Sequence, residues 1–305
     1  MRNHDTTTRR IRLLVNPSSR AGRGLELLRR YLATEKIPGL DWTESTSGEH
    51  WKDLVRQAQD DELDVLAIAG GDGTVTMTLN ALESQNRVPL AIVPAGTGND
   101  FARDLGIPVG IGEACDVLRN GITRRVDVGL AVWPDGSATR FGCVASVGFD
   151  HRALETVYQS GYPRSKALYF FASLRALLSY QPQRIRVTWA DGEFDGALMF
   201  LAITNTRDYG GGFRISPQAK IDDGLLNLYL LPKTGRVRTL LEFARVSFGR
   251  PRSIPEVIQA ATPWVLIESP DAPVPVAIDG EPLRHRTPVL LTAEPAALAV
   301  IVPRP

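Results

Sequence analysis

The chain has 305 residues, of which 43% are apolar and 23% charged, with a formal net charge of +1. That length supports two hydrophobic cores, and the balance is that of an ordinary globular protein. A near-neutral chain has no bulk attraction to nucleic acid or to a membrane, and no run approaches the ~20 apolar residues of a membrane-spanning helix.

Residues Met1 to Arg10 are polar and lack the apolar core of a signal peptide. Ile11 to Val15 reads as the first strand. A polar glycine-containing loop follows from Asn16 to Gly24, and Leu25, Leu28 and Leu32 then keep helical spacing to about Lys36. Asn16 has two readings: it donates to a phosphate, or its side chain closes the turn. Leu40 to Thr43 reads as a second strand. Trp51, Leu54, Val55 and Ala58 give the next helix an apolar face.

The centre of the chain comes next. Leu63 to Ala69 is a short apolar run with β-branched residues, the pattern of a buried parallel strand. It runs into Gly70-Gly71-Asp72-Gly73-Thr74, and the following helix is predicted over Val75 to Ser84 with Thr74 near its N-cap. Glycines let backbone N–H groups approach an oxyanion, and a helix N-terminus favours one. Asp72 would repel a phosphate unless a cation lay between, so it points to Mg²⁺ or to a carboxylate that accepts a proton. Leu90 to Val93 is another apolar strand, and it enters Pro94-Ala95-Gly96-Thr97-Gly98-Asn99-Asp100-Phe101-Ala102-Arg103. Loops after consecutive crossover-connected strands meet at the carboxyl edge of one parallel sheet, where open α/β folds bind ligands.

Ala114, Val117 and Leu118 mark one more helix, ended near Asn120-Gly121. Asp127 then sits in a strand-like run. Cys115 and Cys143 are the only cysteines, which fits a reducing cytoplasm and no disulfide framework.

After about Trp133 the pattern changes to short β-rich runs between turns. The runs are Arg140 to Val147, Ile185 to Trp189, Ala197 to Thr204, Leu225 to Leu231, Trp264 to Glu268, Val274 to Ile278 and Val289 to Leu291. Helices are predicted over Ala153 to Gln159, Ala167 to Ser179 and Arg238 to Phe248. Frequent turns between short strands predict an antiparallel sandwich. Asp191-Gly192-Glu193 and Asp279-Gly280-Glu281 both read as hairpin turns. The histidines have no metal-ligand spacing, and Ser and Cys have no elbow or triad context.

The pair GGDGT and PAGTGNDFAR resembles the diacylglycerol kinase catalytic-domain family, which includes bacterial lipid kinases, ceramide kinases and sphingosine kinases. NAD kinases and phosphofructokinases share only the GGDG-like loop. The resemblance implies an α/β Rossmann-like (NAD kinase/phosphofructokinase-like) first domain over 10–132. It implies an antiparallel β-sandwich over 133–290 and a final segment, 291–305, that packs back on the first domain. It also implies an ATP- and Mg²⁺-dependent kinase that phosphorylates a lipid hydroxyl. On that basis the nucleotide site holds Asn16, Thr43, Gly70, Gly71, Asp72, Gly73, Thr74, Gly96, Thr97 and Asn99.

Asp127 matches a family aspartate within reach of the glycine loop, where it would help hold a divalent cation. The stretch from Gly210 through Lys220 to Leu225 resembles one that holds a structural Mg²⁺, with Asp223 giving a carboxylate and Lys220 and Leu225 giving carbonyls. By local pattern the same residues are an Asp-Gly turn. The family's Asp-Gly-Glu triplet matches Asp279-Gly280-Glu281, which makes Glu281 the proton acceptor, with Asp72 as the competing base. Ala167 to Phe171, Leu174, Leu177 and Leu178 serve either as core or as a surface for lipid chains. The expected partners are a lipid with a free hydroxyl, a transiently contacted membrane surface and a second copy of the chain, with no nucleic acid. The expected location is the cytoplasm, at the inner face of the membrane. Thr76-Met77 stands where relatives often carry Asn-Glu, which leaves open a weakly active lipid- or nucleotide-binding regulator. An NAD kinase-like enzyme is the other alternative.

Overall fold

The computed structural model describes residues 9–17, 22–83, 87–160, 166–247 and 254–305. The chain divides into two compact units, one running to Arg125 and including Ala297–Pro305, the other Val126–Ala296. The predicted loop residues Ser18 to Ala21, the helix ends at Ser84 and Phe248, and most of the polar N-terminal segment lie outside the described residues.

The first unit alternates strand and helix: β1 (Ile11–Val15), α1 (Gly22–Thr34), β2 (Leu40–Glu44), α2 (Gly48–Asp60), β3 (Val65–Gly70), α3 (Asp72–Leu79), β4 (Leu90–Pro94), α4 (Asp100–Asp104) and α5 (Ile111–Asn120). β1 pairs in parallel with β2 on one side and with β3 on the other, and β3 pairs in parallel with β4. Every residue of β3 and β4 is buried, as an all-parallel sheet covered on both faces requires. The helices bury one stripe each. On α2 that stripe is Trp51, Val55 and Ala58, while Ser47 caps the helix by accepting the His50 N–H. The strand order 2-1-3-4 reverses between β1 and β3.

α3 differs from expectation. It begins at Asp72, with Gly71 at the N-cap in extended conformation, and ends at Leu79. Thr74 is inside the helix and is not its cap. Gly71 has no side chain to clash, and its carbonyl accepts from both Thr74 and Val75, so the helix starts within the glycine run. Apolar periodicity could not show a first turn made of Asp, Gly and Thr.

The chain continues through β5 (Ile122–Val132), β6 (Ala138–Phe141), β7 (Val144–Gly148), α6 (Phe149–Gln159), α7 (Lys166–Ser179), β8 (Gln183–Trp189), β9 (Gly192–Thr204), β10 (Asp208–Tyr209), β11 (Phe213–Arg214) and β12 (Leu226–Pro232). It closes with α8 (Arg236–Ser247), β13 (Ile258–Thr262), β14 (Trp264–Glu268), β15 (Pro275–Ile278), β16 (Glu281–Arg286) and β17 (Val289–Val302). In the second unit the pairings are antiparallel. β9 is the organising strand: its first half pairs with β8, and its second half lies between β7 and β12. These strands enclose one core that includes Phe141, Ile185, Leu201, Leu228, Val276 and Leu291. The predicted run Arg140 to Val147 is interrupted at Gly142-Cys143, between β6 and β7. Both Asp-Gly-Glu triplets stand at hairpins, β8–β9 and β15–β16. At the second, Asp279 and Gly280 have φ of 47° and 77°, the two positive values a tight two-residue turn needs. The first residues of β17 pair with β14, and Val300 near its end pairs in parallel with Leu90 in the first unit's sheet.

Candidate active site

In the first unit, every strand of the run β1–β4 hands over to its loop at the same edge. The two central loops touch. A Cβ built on Gly96 would lie 2.3 Å from the Gly71 Cα, and one on Gly71 would lie 2.9 Å from the Gly96 Cα. Both positions therefore need glycine for close backbone approach. Gly70 is held the same way against Thr74, whose Oγ1 would lie 2.3 Å from an added Cβ. Gly24 packs on the carbonyl of Ala95, so the start of α1 closes on the same edge.

Hydrogen bonds tie these loops into one piece. Asn16 donates from Nδ2 to Thr74 Oγ1 at 3.1 Å, linking the end of β1 to α3. The Phe101 N–H donates to Asp72 Oδ1 at 3.1 Å, so Asp72 joins the first glycine loop to the start of α4. Asn99 has φ 55°, accepts the Gly96 N–H at 3.0 Å and donates to the Gly96 carbonyl at 2.9 Å, closing the second loop on itself. Thr78 accepts from Trp51 Nε1 at 3.2 Å and donates to the Thr74 carbonyl at 2.7 Å, which fixes α3 against α2. Asn16, Gly70, Gly71, Asp72, Gly73, Thr74, Gly96, Thr97 and Asn99 thus share one edge of the sheet, with Thr97 exposed beside them. Thr43 lies at the end of β2, opposite Leu14. Next to it, Glu44 takes a two-pronged contact from Arg29 at 2.7 and 2.8 Å. That hydrogen bond holds the Glu44 carboxyl below the usual carboxylate range.

Asp127, Lys220, Asp223, Leu225 and Glu281 belong to the second unit. Asp127 is buried. Its Oδ2 accepts the Gly224 N–H at 2.6 Å and its Oδ1 accepts the Ala296 N–H at 2.8 Å, while its own N–H donates to the Ile221 carbonyl. Its carboxylate pins the Lys220 to Leu225 loop. Within that loop Asp223 accepts the Leu225 N–H at 3.1 Å, an Asx turn ahead of β12. Among the described residues, no group of three or more His, Cys, Asp or Glu side chains comes together to hold a metal ion. The expected set at this loop, one carboxylate with two carbonyls, is of another kind.

Glu281 is exposed, at the start of β16. Its neighbour Asp279 has a different role. The Asp279 carboxylate accepts the N–H groups of Gly142, Cys143 and Val144, each at 2.8 Å. Three successive amides converge on one carboxylate and fix the hairpin that presents Glu281. The triplet pattern pointed to the glutamate, and the aspartate's partners lie more than a hundred residues away in the chain.

Sequence reading also missed a buried polar cluster at the start of α6. Asp150 accepts from Ser146 Oγ and, at 3.3 Å, from the Tyr209 hydroxyl. Burial raises the Asp150 carboxyl above its ordinary value, against the Ser146 hydrogen bond and the His151 charge, and it raises the Tyr209 hydroxyl strongly. The only local signal was an aspartate two residues after the glycine that ends β7. Behind this cluster lies an apolar pocket lined by Phe149, Leu177, Phe200, Ile215, Phe243 and Val246, with Tyr229 and the buried Glu242 bonded at 2.5 Å.

Two family models match the chain: the diacylglycerol kinase catalytic domain over residues 10–131, and the YegS C-terminal NAD kinase beta sandwich-like domain over 143–302. A diacylglycerol kinase of Mycobacterium tuberculosis H37Rv is 32% identical over 300 residues, 97% of this chain and 96% of the relative. A diacylglycerol kinase of Bacillus subtilis is 30% identical over 252 residues, 78% of each chain. A crystal structure of a Bacillus anthracis diacylglycerol kinase superposes with a TM-score of 0.69 at 20% identity, covering 97% of this chain and 98% of that one. A yeast NADH kinase superposes with a TM-score of 0.51 at 11% identity, covering 98% and 85%. The fold is therefore that of the diacylglycerol and NAD kinases, a Rossmann-like domain with a β-sandwich. On these matches, and on two glycine loops meeting at one sheet edge, the chain belongs to the diacylglycerol kinase catalytic-domain family and is a lipid kinase.

Proposed function

We propose that the protein transfers the γ-phosphate of ATP to the hydroxyl of diacylglycerol or a similar lipid. The observation that carries this reading is the contact of Gly71 with Gly96, which leaves main-chain amides and the start of α3 facing the same edge with no Cβ in the way. That cradle fits a polyphosphate. Asn16 and Thr74 stand beside it as donors, and Asn99 shapes its second wall. Mg²⁺ normally reaches such sites with the nucleotide and needs only one or two protein carboxylates, and Asp72 is the carboxylate at the cradle. When bound, the ion offsets charge on the transferring group.

In this reading Asp72 orients: its bond to the Phe101 N–H keeps the two loops in register. Glu281 takes the proton from the lipid hydroxyl, because it is the exposed carboxylate on a hairpin that Asp279 holds rigid. The apolar pocket under α7 and α8 takes part of a lipid chain. Asp127, Lys220, Asp223 and Leu225 shape the loop ahead of β12, with a structural Mg²⁺ there as a separate proposal.

The test is phosphate transfer from labelled ATP to diacylglycerol, monoacylglycerol, ceramide, phosphatidylglycerol and NAD. A labelled lipid is expected, lost in Asp72→Ala. Glu281→Gln is expected to slow transfer by about a hundredfold or more while leaving ATP binding intact. Labelling of NAD alone would replace the lipid acceptor with a nucleotide. Equal background in wild type and Asp72→Ala with every acceptor would leave a binding protein without this activity.

A further inference from the structure

We propose that α7 and α8 together form a docking face for an anionic lipid bilayer. Two observations carry it. The first is apolar exposure. Phe171 and Leu178 on α7 are 66% and 57% exposed, and Val237 and Leu241 on α8 are 71% and 53% exposed. Among the described residues, the other exposed large apolar side chains are scattered: Leu27, Trp42, Ile122 and Leu290 each sit alone on their element, and Val109 lies in the loop ahead of α5. The two helices are packed together through Phe170 and Phe243, whose ring centres are 5.3 Å apart. Both also turn apolar residues inward, Leu177 from α7 and Phe243 and Val246 from α8, onto the pocket beneath. They are apolar on two faces, and one of those faces meets solvent.

The second observation is charge. The chain has 35 basic and 34 acidic residues, yet α7 contains no acid and α8 only Glu242. Glu242 is 1% exposed and is occupied by the Tyr229 hydroxyl and the Ile254 N–H. Arg175 and Arg236 are exposed on the pair, while Arg238 is bonded to Glu256 and the half-buried Arg245 has a partner of its own. Exposed apolar side chains among arginines, without an exposed carboxylate on either helix, complement an anionic headgroup layer over hydrocarbon. A second copy of the chain would bring arginines against arginines if the same face met itself. The inference rests on the reading that the acceptor is a lipid, and it supplies the surface by which the enzyme reaches that lipid.

The experiment is co-sedimentation of the full chain with vesicles of phosphatidylglycerol and phosphatidylcholine, or of phosphatidylcholine alone. It runs alongside phosphorylation of a short-chain diacylglycerol below its aggregation concentration. Wild type is expected to sediment with the anionic vesicles and to be released by salt. Arg236→Gln should weaken binding about fivefold, the effect of one basic residue at a charged surface. Val237→Ser with Leu241→Ser should weaken it by about tenfold through lost apolar burial. Both variants should keep the wild-type rate on the monomeric substrate. Unchanged sedimentation of both variants, or wild type that ignores anionic vesicles, overturns the docking face. So does a dimer in analytical ultracentrifugation that Val237→Ser with Leu241→Ser dissolves, because a second copy then covers the face. Wild type that sediments but does not phosphorylate the short-chain diacylglycerol refutes the proposed acceptor and leaves the docking face standing.

Discussion

At Gly96 a single methyl group separates a working cradle from a broken one. An alanine Cβ there meets the Gly71 Cα at 2.3 Å and Asn99 Oδ1 at 2.8 Å, and the Gly71 contact is with backbone, which cannot swing aside. Gly96→Ala is expected to cost about 1–3 kcal/mol of stability through overpacking. On the proposed function magnesium ATP should raise the melting temperature of wild type and leave that of Gly96→Ala unchanged, which calorimetry checks. Asp150 responds to pH. Burial raises its folded pKa above the unfolded value of 3.8. Between those two values the unfolded chain has lost its proton and the folded chain has kept it, so stability falls as pH rises through that window and then levels. Asp150→Asn should flatten this part of the stability profile and leave the protein relatively more stable at neutral pH, as urea titrations across the window would show. Cys115 is the converse case, a group kept inert. Burial pushes its thiol up to about 11, so it should resist thiol reagents until the protein unfolds.

At the level of elements, turns carry the precision. The β15–β16 hairpin is held by Asp279, and the Gly142, Cys143 and Val144 amides it accepts from are buried. Leaving a buried donor without an acceptor costs about 1–3 kcal/mol. Asp279→Ala should therefore lower the melting temperature and also reduce turnover, because the hairpin presenting Glu281 loses its anchor. Glu281→Gln should reduce turnover alone. The strands of the first unit were legible because parallel buried strands are continuous apolar runs, as in β3 and β4. The start of α3 was not, since its first turn reads as a glycine loop. β16, Glu281-Pro282-Leu283-Arg284-His285-Arg286, was invisible as a strand because its residues are mostly polar and charged. β17 runs well past the predicted Val289 to Leu291, because exposed positions interrupt its apolar pattern before it resumes at Leu298.

For the molecule as a whole, the motif pair carried more information than any pattern. GGDGT and PAGTGNDFAR, 25 positions apart from Gly70 to Ala95, meet in space as their resemblance required, and Asn16 joins them from 58 residues upstream of Thr74. The long-range ties inside the second unit were hidden. Asp127 bonds to Gly224 and Ala296, 97 and 169 residues away, and neither partner offers a side chain that sequence could flag.

The first unit's sheet takes a strand from the far end of the chain, with Val300 beside Leu90. As the polypeptide leaves the ribosome, β4 therefore waits with a bare apolar flank until Val300, 210 residues further along the chain, has been made. An N-terminal fragment ending at Arg125 would carry that unsatisfied edge permanently and tend to precipitate. The α/β unit is thus completed only after the β-rich unit has been made, and a gene split at Arg125 would yield no soluble α/β unit.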